Sequence, residues 1–295
     1  KSSQSIYRTK LMVVGYENIG KTTLLDCLFP LNDKIKIPNF FGTLSEYYFT
    51  LEGKYLRQYK IGFEVGQPQK EYILENKEWV IAKTIRKEIL GIEIESITKS
   101  KEKNVFYFED EETRDLWFER ILKLVSNKAT HGIEVNTHIW NSSTLNQKFE
   151  TKQNGNTNRN RNENENEKKK RDDHVEFSTW DFAGQNDYYN THHYFLSNRS
   201  IFLVLYRMDK GIKGLESLDF WLKSLSSHLN QNYCDENGKP FYSIIIIGTF
   251  LDSIINDNQN NEDKNLRQTK IMEIYDKNGL KSPPFYFEVS CSTLE

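Results

Sequence analysis

The eight residues GYENIGKT, from Gly15 to Thr22, constrain this chain more than any other stretch. The apolar run Lys10-Leu-Met-Val-Val14 precedes them, and Thr23-Leu-Leu-Asp-Cys-Leu28 follows. That order predicts strand, glycine-bounded loop and helix, and the loop fits G-x-x-x-x-G-K-[ST], the phosphate-cradling P-loop. Gly15 and Gly20 let the backbone turn tightly around phosphate oxygens, and the following helix adds its positive end. Lys21 can reach the β- and γ-phosphates, and the Thr22 hydroxyl can bind Mg²⁺. Asn18 and Thr23, inside and just behind the motif, join the nucleotide-binding candidates.

The second half of the chain supplies complementary pieces. Val175-Glu-Phe-Ser-Thr-Trp180 alternates apolar and polar residues like a half-buried strand and runs into Asp181-Phe-Ala-Gly-Gln185. An Asp at the end of a strand beside a P-loop can hold Mg²⁺ through water. Gly184 can offer its N–H to the γ-phosphate, and Gln185 is placed to orient an attacking water. Further on, the β-branched run Ser243-Ile-Ile-Ile-Ile-Gly248 predicts a buried strand leading into Thr249-Phe-Leu-Asp252. A carboxylate at Asp252 could accept from the N1–H and N2–H₂ of guanine, a donor pair that adenine lacks. The strand Phe285-Tyr-Phe-Glu-Val289 leads into Ser290-Cys-Ser292, where backbone N–H groups of Ser290 and Cys291 could meet the guanine O6. GTP and GDP are therefore expected over ATP.

Taken together, GYENIGKTTLL, THGIEVNTHIW from Thr130 to Trp140, and STWDFAGQNDYYNTHHYFLS from Ser178 to Ser197 resemble the Roc domain of Roco proteins, a Ras-like GTPase module. The strand Arg199–Arg207, the segment IGTFLD and the terminal VSCST complete the resemblance, which covers residues 7–33, 129–148 and 174–295. It implies an α/β fold with a six-stranded, mostly parallel sheet, slow GTP hydrolysis, and Mg²⁺ as cofactor. It also implies that Thr130 is the switch threonine closing on Mg²⁺ and γ-phosphate, beside Lys21, Thr22, Asp181 and Gln185. One departure matters: the base motif reads T-F-L-D, where Roc domains often carry T-H-x-D and small GTPases N-K-x-D, so Phe250 stands at a commonly basic position. The resemblance further implies partners outside this chain: a COR domain through which dimerisation is expected, and a protein kinase domain in some members.

Composition fits one large or two modest globular domains, with 295 residues, 37% hydrophobic and 28% charged. A formal net charge of −2 gives no electrostatic case for nucleic acid. No apolar stretch approaches the roughly 20 residues of a membrane helix. Cys27, Cys234 and Cys291 lack metal-ligand spacing and leave an odd count, so reduced thiols and a cytoplasmic setting are expected, with peripheral membrane attachment as the alternative. The chain begins without Met and stops a few residues after Ser290, and reads as an excerpt of a longer protein.

Two insertions lengthen it. The first occupies the stretch between the P-loop helix and Thr130. Strand-like runs at 46–51, 55–61, 71–74, 91–95 and 104–108 precede an acidic-started helix from Asp110 to Leu124. Leu116, Trp117, Ile121, Leu122, Leu124 and Val125 are expected to form that helix's apolar face. Strands closed by one helix holding a Trp resemble a pleckstrin-homology (PH) domain over residues 38–127; another small β-rich insert is the alternative. The GTPase domain then comprises residues 1–37 and 128–295. A phosphoinositide-binding role is not favoured, because Glu46 opens the run where a basic residue would be wanted. The second insertion, the loop at 150–173, has no aliphatic or aromatic residue from Thr151 onward and is expected to be disordered. Two functions compete: a GTP-hydrolysing switch, and a nucleotide-binding scaffold with negligible turnover whose insert mediates protein or lipid interactions.

Overall fold

The computed structural model describes residues 6–63, 66–75, 78–86, 88–98, 102–126, 130, 132–141, 174–184, 192–230, 232–255 and 264–292. In chain order its elements are β1 (Ile6–Val14), α1 (Lys21–Leu28), β2 (Leu31–Pro38), β3 (Leu44–Glu52), β4 (Tyr55–Tyr59), β5 (Lys70–Ile73), β6 (Trp79–Arg86), β7 (Ile89–Ser96), β8 (Lys103–Phe108) and α2 (Glu111–Ser126). They continue with β9 (Ile133–Asn141), β10 (His174–Phe182), β11 (Ser200–Arg207), α3 (Ile212–His228), β12 (Ser243–Thr249), α4 (Leu251–Ile255), α5 (Lys264–Lys277) and β13 (Phe285–Glu288). The chain divides into two compact units, residues 1–21 with 130–289, and residues 22–129 with 290–295.

The first unit is built on a six-stranded sheet ordered β13-β12-β11-β1-β10-β9. Five strands run parallel; β9 alone is antiparallel, paired to β10 at the sheet edge. The central strands are near-continuous apolar runs, as strands covered on both faces must be: Leu11–Val14 and Phe202–Tyr206 are buried along their length. Helix α3 buries Leu218, Trp221, Leu222 and Leu225, the i, i+3, i+4, i+7 stripe of a core-facing helix. Helix α5 buries Ile271 and Tyr275, one turn apart, and the Tyr275 hydroxyl donates to the Ser282 carbonyl. The loop expected at 150–173 lies outside the described residues.

The second unit contains a seven-stranded antiparallel sheet ordered β5-β4-β3-β2-β8-β7-β6, followed in sequence by α2. Its core joins Ile35, Phe49, Leu56, Ile92 and Phe106 to Trp117 and Ile121 of α2. Asp110 caps α2, accepting from the Thr113 N–H at 2.7 Å, which satisfies a donor left free by the first turn. Two strands go beyond the sequence expectation. Leu31–Pro38 is the strand that joins both halves of this sheet, so the sheet begins ahead of residue 38. Trp79–Arg86 pairs with β7 along its whole length. The expected apolar face of α2 also needs correction: Trp117, Ile121 and Val125 are buried, but Leu116 is 54% exposed. Among the described residues no helix is long and apolar enough to cross a membrane.

Candidate nucleotide site

Because β1, β10, β11, β12 and β13 are parallel, their C-terminal ends share one edge of the sheet, where α/β folds bind ligands. The loop Gly15–Gly20 leaves that edge from β1. Gly20 has φ +91°, a conformation that L side chains rarely adopt, and the chain enters α1 at the next residue.

Lys21 is only 7% exposed. Its ammonium donates to the Gly15 carbonyl at 2.9 Å and the Tyr16 carbonyl at 2.8 Å. Burial lowers its pKa from 10.5 to about 8, against the opposing pull of the Asp181 and Glu17 carboxylates. A buried cation held by loop carbonyls can exchange those dipoles for the full charge of a phosphate. Thr22 and Thr23 follow it in α1, Thr22 partly buried and Thr23 exposed.

Asp181 lies near the end of β10 and is 2% exposed. The Thr130 hydroxyl donates to its Oδ2 at 3.2 Å, and the Ala183 N–H donates to the Gly132 carbonyl at 2.8 Å. The structure thus brings together the two residues expected on either side of a metal. A carboxylate with a hydroxyl beside it is a hard oxygen donor set, and suits Mg²⁺, which takes one or two carboxylates together with substrate phosphates. Gly184 has a structural reason to be glycine. A Cβ there would lie 2.3 Å from the Glu17 nitrogen and 2.4 Å from the Tyr16 carbonyl carbon, so the chain after β10 packs directly on the P-loop backbone. Gln185 lies outside the described residues. His192 is buried edge-on to Phe182, with ring centroids 4.8 Å apart, and stacks on Trp221, which makes it part of the core.

On the base side, Thr249 is buried and its Oγ1 lies 3.0 Å from the Ile19 carbonyl and 3.1 Å from the Tyr206 carbonyl. Its hydroxyl therefore fastens β12 to the P-loop, a role the sequence did not reveal. Asp252 sits in the first turn of α4. The Val289 N–H donates to Gly248 O at 2.8 Å and the Leu251 N–H to Val289 O at 3.2 Å, so the chain reaches Ser290 and Cys291 directly from a backbone ladder to the base motif. Ser290 is buried, its hydroxyl 2.9 Å from that of Ser292. A hydrogen bond with the Cys291 thiol, together with burial, pushes the Cys27 thiol up, so Cys27 stays a neutral packing residue. One participant was not among the motif residues. Arg207, the last residue of β11, donates from Nη1 to the Asn18 carbonyl at 3.3 Å and lies 3.8 Å over the Phe250 ring.

Residues 125–252 match the protein-family model described as Ras of Complex, Roc, domain of DAPkinase. A leucine-rich repeat serine/threonine-protein kinase 1 of Caenorhabditis elegans is 39% identical over 80 residues, which is 27% of this chain and 3% of that protein. The probable serine/threonine-protein kinases pats1 and roco5 of Dictyostelium discoideum are each 31% identical, over 129 and 122 residues. Those alignments cover 43% and 40% of this chain, and 3% and 4% of the relatives. The chain therefore spans only a small part of the relatives it matches. These matches support a Roc domain, a family of Ras-like GTPases, in this part of the chain. The matched segment ends at Asp252 and starts after the P-loop, but β1, which delivers the P-loop, is hydrogen-bonded between β10 and β11 of that segment.

Proposed function

We propose that this chain is a GTP-binding and GTP-hydrolysing switch module, the regulatory domain of a larger signalling protein. The observation that carries the reading is the buried Lys21 ammonium held by P-loop carbonyls, on the same sheet edge as the Thr130–Asp181 pair. Lys21 and the N–H groups from Gly15 to Thr23, including Asn18 and Gly20, bind the phosphates. Thr22, Thr130 and, through water, Asp181 hold Mg²⁺, which when bound neutralises charge developing on the phosphate oxygens. Gly184 presents its N–H to the γ-phosphate, and Gln185 orients the attacking water. Asp252 reads the guanine N1–H and N2–H₂, with Thr249 holding its loop and Ser290 and Cys291 closing on O6.

The seven-stranded sheet with its trailing helix supports reading the second unit as a PH-like insert, and its proposed role is protein interaction or structural. The relatives are named as kinases, which supports further domains of the same polypeptide as partners, a kinase among them. A cytoplasmic setting fits that reading.

Base choice tests it. Asp252→Asn should weaken GDP binding by about 2–4 kcal/mol, because a site built to pair two donors loses one pairing and gains a repulsive N–H. Competition of GDP and ATP for the purified chain measures this. Equal affinity for the two nucleotides would sink the reading.

A further inference from the structure

Arg207 makes three attachments at once. Its Nε and Nη2 donate to the Asp209 carboxylate at 2.9 and 2.6 Å, Nη1 donates to the Asn18 carbonyl at 3.3 Å, and its guanidinium carbon stands 3.8 Å from the centre of the Phe250 ring. Two of these partners have unusual backbones. Asn18, in the P-loop, has φ +58°, and Phe250, two residues before Asp252, has φ +64°. An aromatic residue persists in that region only where its surroundings hold it. The Asp209 carboxylate, held below its usual pKa range chiefly by its hydrogen bond to Arg207, is also approached by Lys210 at 3.5 Å, so the fork is anchored on the solvent side.

We propose that Arg207 is a positioning residue for the guanine nucleotide: it joins the phosphate loop to the base loop and so holds Phe250 and Asp252 in register with the phosphates. This rests on the nucleotide-binding reading above. The base motif itself carries an aromatic, Phe250, between Thr249 and Leu251. An aromatic ring cannot donate to the P-loop carbonyl, but a planar cation stacked on that ring can, and it fixes the ring's other face as an apolar platform. Lysine would serve less well, because it cannot fork onto Asp209 while lying flat on Phe250.

The test is the dissociation of fluorescent mant-GDP, and of IDP (which lacks the 2-amino group), from the purified chain with Mg²⁺. Arg207→Ala is expected to release mant-GDP about tenfold faster, the scale of one charge-assisted contact. It should also narrow the preference for GDP over IDP, because Asp252 is no longer held against the base edge. Adding Phe250→Lys to Arg207→Ala returns a cation to the base motif within reach of the Asn18 carbonyl and should restore slow release. A merely structural role would lower the melting temperature without changing GDP-over-IDP preference. If Arg207→Ala does not fold, Arg207→Gln, which keeps a donor but not the charge, is measured instead. A variant that releases GDP and discriminates IDP as the parent does overturns the assignment of Arg207 alone. A parent that retains no mant-GDP overturns the nucleotide reading and this assignment with it.

Discussion

Gly184→Ala is expected to abolish tight nucleotide binding and to lower the melting temperature by several degrees. The added Cβ would stand 2.3 Å from the Glu17 nitrogen and 2.6 Å from its Cα, and none of these is the end of a flexible side chain that could swing aside. Either the turn after β10 or the P-loop must move. Overpacking of this kind costs about 1–3 kcal/mol, which for a chain of this size is a shift of roughly 2–12 °C. The functional loss should exceed the stability loss, because the proposed function makes the P-loop backbone the phosphate cradle. Calorimetric melting with GDP titration separates the two: a variant that melts and binds like the parent would show that Gly184 does not touch the P-loop.

The second large effect belongs to Lys21. Lys21→Ala should reduce GDP and GTP affinity by at least about a hundredfold, since a charge-assisted contact to phosphate is lost in a buried site. Thr22→Asn, which removes the hydroxyl proposed to bind Mg²⁺, should do the same in the presence of Mg²⁺. The pH behaviour is diagnostic. The folded chain holds Lys21 at a pKa of about 8, below its ordinary 10.5, so between those values the unfolded chain binds more protons. Stability without nucleotide should therefore rise with pH across that window, and Lys21→Ala should remove the rise. Nucleotide affinity should run the other way, flat below about pH 8 and falling above it, because phosphate needs the charged ammonium. Melting and binding curves from pH 7 to 10, each taken as parent minus variant, check both signs. Parallel curves for parent and variant would mean that Lys21 does not titrate there.

Much of the first unit was legible because its signals are local. The apolar runs that became β1, β11 and β12 are continuous, and the glycines of the P-loop fall where the backbone needs them. The second unit was harder. Strand β2 reads LNDKIKIP, and of these residues only Ile35 is fully buried, so charge hides its periodicity. Strand β6 buries only Trp79 and is defined by its pairing with β7. Leu116 obeys helical spacing yet faces solvent, because the stripe that packs is set by Trp117, Ile121 and Val125. At the site, motif order singled out Asp181 and the family resemblance singled out Thr130; their hydrogen bond joins segments 51 positions apart. It could not reveal that Thr249 is tied to Ile19, or that Arg207 reaches Asn18 across 189 positions, since no local pattern encodes a long-range side-chain contact.

The central claim is that this chain hydrolyses GTP and that Gln185 places the water. Single-turnover hydrolysis of radiolabelled GTP by the purified chain with Mg²⁺, parent beside Gln185→Leu, tests it most directly. The account predicts slow release of phosphate by the parent, on the order of 10⁻⁴ to 10⁻² per second. It predicts release at least about tenfold slower in Gln185→Leu, with GTP affinity unchanged. Phosphate release from the parent no faster than from GTP alone, or equal rates in parent and variant, would contradict it.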